Sequence, residues 1–257
     1  NRSSFIDYFG NEVIQLNYDN TESFSCGLAL VSKNGKFGFI DHLGIEVVPL
    51  IFKQAFSFSE GFAVVEYGDN WGFIDNSGFF RIPLIFEYAE SFSNGLALVS
   101  KNGKFGFIDY RGIEVVPFKF DSVGQFNYGL ASASIDKCGS GYIDQYGKIV
   151  IPLKYEMVES FVNGIARVKL NGKWGLIDMS GVEITPLKYD SIVAIDGNNL
   201  SQVELNGKKG LVDNTGKEIT PIKWDYISSF KENFASVELN NKWGFIDRSG
   251  KEIAAIK

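Results

Sequence analysis

Residues 36–44 read Lys36-Phe37-Gly38-Phe39-Ile40-Asp41-His42-Leu43-Gly44. Their centre, Phe-Ile-Asp or a close variant with Gly three residues after the Asp, occurs eight times along the 257 residues. The aspartates are Asp7, Asp41, Asp75, Asp109, Asp144, Asp178, Asp213 and Asp247, separated by 34, 34, 34, 35, 34, 35 and 34 residues. A fixed period of this size marks a repeat architecture, in which each unit buries its apolar face only by stacking on its neighbours. Gly27 to Asp41 and Gly95 to Asp109 are identical, as expected from duplication of a two-repeat block.

The repeat unit is legible over residues 164–197. Residues 164–170 alternate apolar and polar, the period of a strand. Asn171-Gly172 follows and demands a two-residue hairpin turn, because both central positions need positive φ. A second strand, Lys173-Trp174-Gly175-Leu176-Ile177-Asp178, leads into a turn at Gly181. A third strand begins at Val182 and is expected to stop at Pro186. We name these strands A, B and C. The segment from Leu187 to Ile195 reads either as a short fourth strand or as an irregular turn. Asn-Gly or Asn-Asn closes the A–B hairpin at Asn34, Asn102, Asn171, Asn206 and Asn240. The two-residue loop sets Val168 opposite Gly175 and Ala166 opposite Ile177. One hairpin face is therefore small or β-branched, and the other carries Trp174 and Leu176, or Phe37 and Phe39. Bulk packing into hollow between neighbouring sheets is expected. On this reading the strand B glycine leaves room for a neighbouring repeat.

All six prolines, Pro49, Pro83, Pro117, Pro152, Pro186 and Pro221, fall at the expected end of strand C. An aromatic residue follows each by three positions: Phe52, Phe86, Phe120, Tyr155, Tyr189 and Trp224. Another ladder comprises Phe58, Phe92, Phe126, Phe161 and Phe230, with Ile195 in place of the sixth. These ladders and the strand B aromatics account for most of the 15% aromatic content.

The unit resembles the WG repeat, also called the KWG repeat. The resemblance rests on Lys173-Trp174-Gly175-Leu176-Ile177-Asp178 and Lys242-Trp243-Gly244-Phe245-Ile246-Asp247, on Asn70-Trp71-Gly72-Phe73-Ile74-Asp75, and on Phe37-Gly38 and Phe105-Gly106. Gly216 to Ile219, Gly250 to Ile253 and Pro186 to Tyr189 extend it. It implies a mostly bacterial family built largely from such repeats, with no common catalytic activity.

Composition narrows the function classes. Basic residues are scattered singly in a chain of net charge −6. No basic stripe exists to follow a phosphate backbone, so nucleic acid is not an expected partner. No stretch approaches the roughly 20 apolar residues of a membrane span, and Asn1-Arg2-Ser3-Ser4 has no apolar run behind it that would read as a signal peptide. Cys26 and Cys138 are three repeats apart and expected as free thiols.

The aspartates could be read as a cation ladder. Turn capping explains them better, because Asp-x-x-Gly lets the carboxylate accept backbone N–H bonds while Gly supplies the left-handed residue. A calcium site would need about six converging oxygens. His42, the single histidine, falls at a variable turn position. The strand C glutamates, Glu46, Glu114, Glu183, Glu218 and Glu252, recur with the array and read as a solvated face. No catalytic, cofactor or metal residues are assigned. Departures from the repeat are more informative. Ser140 and Lys209 replace the first strand B aromatic, Ile195 replaces a ladder Phe, and Asn198 lies in a turn, Asp196 to Asn199, that departs from the usual glycine turn. Ser140, Ile195, Asn198 and Lys209 are the candidate binding notch.

The expected fold is all-β: tandem antiparallel β-meanders of about 34 residues, stacked as an open solenoid or superhelix. A closed seven-bladed propeller is the alternative. Residues 1–22 are expected as a capping hairpin and residues 23–257 as seven repeats in one continuous domain. The expected function is a non-enzymatic, cofactor-free scaffold for a protein partner. The alternative is a carbohydrate-binding module using exposed Trp71, Trp174 and Trp243. An enzyme using acidic residues is a third reading.

Overall fold

The computed structural model describes residues 4–6, 12–15, 18–194 and 200–254. Among these the regular structure is entirely β, in small antiparallel sheets that follow the repeat. Asp7, Ile195, Asn198 and Ala255 lie outside the described residues. Ser4–Ile6 pairs with Glu12–Gln15 as a two-stranded sheet, the extra hairpin expected at the start. Contacts divide the chain into two compact bodies, residues 1–123 and 124–257.

Within the first body, the first repeat sets the pattern. Strand A, Ala29–Lys33, pairs with strand B, Lys36–Ile40, in the register a two-residue turn dictates, with Val31 opposite Gly38 and Ala29 opposite Ile40. Asn34 and Gly35 both have positive φ. Strand C, Glu46–Phe52, pairs with strand B. The segment left open by the sequence is a two-residue strand on the other side of strand A. Asn20–Thr21 pairs with Ser32 and Val31, so the first full sheet begins before residue 23. The second and third repeats copy this arrangement with Gln54–Ala55 and Tyr88–Ala89 as their first strands. Each sheet is an open four-stranded meander.

The second body repeats the meander. In the fourth repeat the A–B turn lengthens to three residues, with Ile135 opposite Gly139. The fifth sheet keeps only three strands, and its strand C is reduced to bridges at Glu183 and Tyr189. The sixth and seventh sheets have four strands again.

Proline does not end strand C, as the sequence reading expected. Strand C runs on through it to the ladder aromatic in every full sheet up to the sixth. Phe37 pairs with Phe52 and Phe39 with Val48, so four residues of strand C span two of strand B. Pro49 sits in that bulge on an edge strand, where its missing N–H costs nothing.

The bulge also explains the strand B glycine. A Cβ on Gly38 would lie 2.5 Å from the Val48 carbonyl oxygen and 2.8 Å from the Pro49 carbonyl carbon. Gly72 would meet the backbone of Ile82 and Pro83 in the same way. The glycine therefore makes room for strand C of its own repeat, not for a neighbouring repeat.

The core lies between successive sheets. The small hairpin face is fully buried: Ala29, Val31 and Ile40, and likewise Ala166, Val168 and Ile177. The second strand B position is also buried in the first six repeats, where it is Phe39, Phe73, Phe107, Tyr142, Leu176 and Leu211, and is exposed at Phe245 in the last. Ladder residues from the following repeat close over it. Phe58 meets Phe39 with ring centroids 4.9 Å apart, Phe92 meets Phe73 at 4.9 Å, and Phe161 meets Tyr142 at 4.7 Å. Phe52, Phe86, Phe120, Tyr155, Tyr189 and Trp224 are buried throughout.

Candidate functional site

The turn aspartates cap backbone. Asp41 Oδ1 accepts the Leu43 and Ile45 amides, both at 2.9 Å, and Gly44 turns the chain with φ of 79°. The same bonds recur at Asp75, Asp109, Asp144, Asp178, Asp213 and Asp247. At Asp178 the Ser180 hydroxyl, and then the Val182 amide, hold the carboxyl below the usual carboxylate range. These carboxylates serve the turn chemistry that places them. His42 and the strand C glutamates Glu46, Glu114, Glu183, Glu218 and Glu252 are exposed.

Ser140 is half-buried opposite Tyr155, and Lys209 is half-buried opposite Trp224. They occupy the same strand position in the fourth and sixth sheets, with the fifth sheet between them in chain order. Lys209 Nζ lies 5.7 Å from the centroid of the Tyr226 ring. A cavity of 140 Å³ in the second body is lined by residues of the fifth and sixth repeats, including Arg167, but by neither Ser140 nor Lys209. Arg167 is held there by Glu159 and by the Ile192 carbonyl oxygen, 2.6 Å away. It stands at the strand A position that is buried Leu30, Val64 and Leu98 in the first three repeats.

The three strand B tryptophans are not alike. Trp71 is buried, Trp174 is half-buried, and Trp243 in the last repeat is 51% exposed. They do not form the exposed row that a sugar-stacking surface needs.

Two features of the first body went unread in the sequence. The first is an apolar stripe on the B–C turn and the outer edge of strand C. Leu43, Ile45, Ile51, Phe79, Phe80 and Ile85 are all exposed. Of these, Ile45 and Phe79 stand at equivalent places in the B–C turn of consecutive repeats, and Ile51 and Ile85 on the edge strand that follows it. The sequence signal was available: Ile45, Phe79, Ile113 and Val182 stand four residues after their aspartates, where Lys148, Lys217 and Lys251 stand in other repeats.

The second is a cavity of 570 Å³ between the second and third repeats, lined by Gln54, Phe56, Trp71, Tyr88 and Glu90 among others. Phe56 stacks on Trp71 with centroids 6.0 Å apart. The Tyr88 hydroxyl donates to Glu90 Oε1 at 2.6 Å. Burial, and then the Glu90 carboxylate, push that hydroxyl up to about 12, so it remains a donor at neutral pH.

The repeat matches the family described as WG containing repeat at residues 4–37, 37–71, 71–105, 105–137, 141–174, 174–208, 210–243 and 243–257. The chain belongs to the WG-repeat family. As a WG-repeat protein it is a repeat-built scaffold. No curated protein matches it in sequence. Solved structures with a similar path include the computationally designed Ika8 protein, at 12% identity and a TM-score of 0.42, covering 93% of this chain and 87% of that one. BamB from Moraxella catarrhalis aligns at 13% identity and 0.40, covering 84% and 80%. Kluyveromyces lactis Hsv2 aligns at 11% identity and 0.41, covering 90% and 94%. Among the described residues of this WG-repeat chain, no helix is long and apolar enough to cross a membrane.

Proposed function

We propose that this WG-repeat chain is a non-enzymatic scaffold that binds a protein partner along the exposed edge of its strands C. The supporting observation is the apolar stripe, which runs over consecutive repeats of the first body and leaves Ile45 57% and Phe79 67% exposed. Edge strands of this kind accept a partner by apolar contact and by main-chain pairing. The repeat itself supplies a test that spares the fold. Ile45→Lys, Phe79→Lys and Ile113→Lys each install the residue that other repeats carry at the same turn position. The triple variant should keep the thermal midpoint of the parent and lose partners that the parent captures by cross-linking in its native cells. Equal capture of the same partners by parent and variant would overturn the reading.

A further inference from the structure

Glu66 is the least expected residue of the first body. It is 5% exposed, and its side chain pairs through Oε1 with Lys53 Nζ at 2.7 Å. Its other oxygen, Oε2, is buried without a hydrogen-bond partner. Leaving a buried carboxylate oxygen unpaired costs more than an average hydrogen bond gains. Corresponding strand A positions elsewhere hold Ser32 and Ser100, or half-buried Ser134, Lys169, Glu204 and Glu238. None of these is a buried carboxylate.

The register places Glu66 beside the aromatic cavity. Gln54 pairs with Glu66 on one side and Trp71 pairs with it on the other, so all three share one sheet face. Gln54 and Trp71 line the cavity, together with exposed Phe56 and Tyr88 and half-buried Glu90. Glu90 thus lines the cavity with a set of aromatic rings, and the Glu66 carboxylate lies on the sheet face shared by Gln54 and Trp71. Aromatic faces attract cations, and carboxylates bind them with charge-assisted hydrogen bonds.

The fold already seats a cation at the equivalent place. Lys209 occupies the strand position of Trp71 four repeats later, and Tyr226 that of Tyr88. There Lys209 Nζ lies over the Tyr226 ring at 5.7 Å from its centroid. Between the second and third repeats the tyrosine is kept, and tryptophan takes the place of the internal cation.

The geometry points to the cavity between the second and third repeats as a binding site for an arginine side chain of a protein partner. The guanidinium stacks on the rings of Phe56 and Tyr88. Binding requires a side-chain displacement that exposes Glu66 Oε2 to it, and Glu90 accepts from its far edge. A planar fork with several donors satisfies two carboxylates and an aromatic face together, which a compact ammonium does not. The cavity volume of 570 Å³ holds the guanidinium, its aliphatic stem and part of the flanking backbone. The net charge of −6 favours approach of a basic segment.

This site rests on the scaffold reading above, and its test separates the two. The full chain is titrated with acetyl-Gly-Arg-Gly-amide, and with its lysine and citrulline counterparts, in about 0.3 M salt to screen diffuse attraction. Amide chemical shifts provide the readout. The arginine peptide should shift Gln54, Phe56, Tyr88 and Glu90 saturably. Citrulline, which keeps the shape and loses the charge, should bind about ten-fold more weakly or less. Lysine should also bind more weakly. Glu66→Gln and Glu90→Gln should each weaken arginine binding about five-fold or more. Because Glu90 is half-buried at the rim, its variant tests the site even if Glu66→Gln unfolds. Equal binding of citrulline or lysine, shifts scattered away from the cavity, or two glutamine variants that bind like the parent would each overturn the proposal. If the arginine peptide fails while capture through the strand C edge persists, this site falls and the scaffold stands. If the peptide binds and edge-dependent capture fails, the scaffold reading falls and a guanidinium site remains.

Discussion

Gly38 and Val48 are in backbone contact across the B–C bulge: a Cβ on Gly38 would sit 2.5 Å from the Val48 carbonyl oxygen. Backbone cannot yield as a flexible side chain can. The glycine of the WG motif is thus fixed by strand C of its own sheet. The proline that follows Val48 belongs to the same bulge.

This makes the cost of adding a methyl group depend on the repeat. A Cβ on Gly141 would lie 2.5 Å from the Pro152 carbonyl oxygen, whereas on Gly175 it would meet Leu187 Cδ2 at 3.0 Å and the Thr185 oxygen at 3.1 Å. The fifth sheet has lost most of its strand C, and the bulge stands further off. Gly141→Ala should cost about 3 kcal/mol and Gly175→Ala about 1 kcal/mol, both within the range for overpacking. Urea unfolding of the two variants, which lie in the same body, checks the order. Equal losses would mean that the bulge does not set the glycine.

Exposure of the strand B aromatics depends on the repeat as well as on the position: Trp71 is buried, whereas Trp243 and Phe245 of the last repeat are both 51% exposed. The sequence reading buried both positions alike. Phe73, at the second position, is 0% exposed and touches Phe92, while Trp243, at the first position of the last repeat, is 51% exposed. Phe73→Ala should cost about 3–5 kcal/mol, and Trp243→Ala about 1 kcal/mol or less. Denaturant melts showing the reverse order would mean that the last repeat, not the second, carries the tighter packing.

What was legible follows from what is local. The A–B register, with Val168 opposite Gly175, comes from a two-residue turn that chain chemistry alone dictates. The aspartate turns were legible for the same reason, since Asp178 bonds residues two and four places ahead. Strand C beyond Pro49, Pro83 and their equivalents in the full sheets was not, because a proline normally stops a strand and only the edge position with a bulge excuses it. The first strand of each full sheet was left open between a strand and an irregular turn, because a two-residue strand such as Gln54–Ala55 carries no periodicity. Glu66 follows four consecutive apolar residues, Phe62 to Val65, at a strand A position that is polar in every repeat. Glu204 occupies the same strand position and is only half-buried, so the burial of Glu66 is decided by the residues around it in the fold.

The turn carboxylates give a pH dependence with a definite sign. The folded Asp178 carboxyl lies below its unfolded value, through the Ser180 hydroxyl first and the Val182 amide next. Its stabilisation is therefore complete above the unfolded value, about 3.9, and is lost as pH falls through the folded one. Asp178→Ala should cost about 1 kcal/mol at pH 7. That gap to the parent should narrow below about pH 3. Urea titrations of both proteins at the two pH values test it. A gap that stays constant would assign the loss to turn geometry rather than to the ionised carboxylate.

The two repeats that abandon the strand B aromatic should respond differently to its restoration. Phe37 pairs with Phe52, Trp71 with Phe86, and Phe105 with Phe120, so an aromatic across from the ladder residue is the working pair. Ser140 faces Tyr155 with no such ring. Ser140→Phe should stabilise the chain by about 0.5–1 kcal/mol, the range of an aromatic cross-strand pair. Lys209 faces Trp224, and its ammonium also lies over Tyr226. Lys209→Trp gains the ring pair but removes that cation contact, and the two changes offset each other to leave a gain of less than about 0.5 kcal/mol. Thermal and urea midpoints of the two single variants decide the order. A larger gain at Lys209 would mean that the cation over Tyr226 contributes nothing, and would remove the internal precedent for a cation at the equivalent place beside Tyr88.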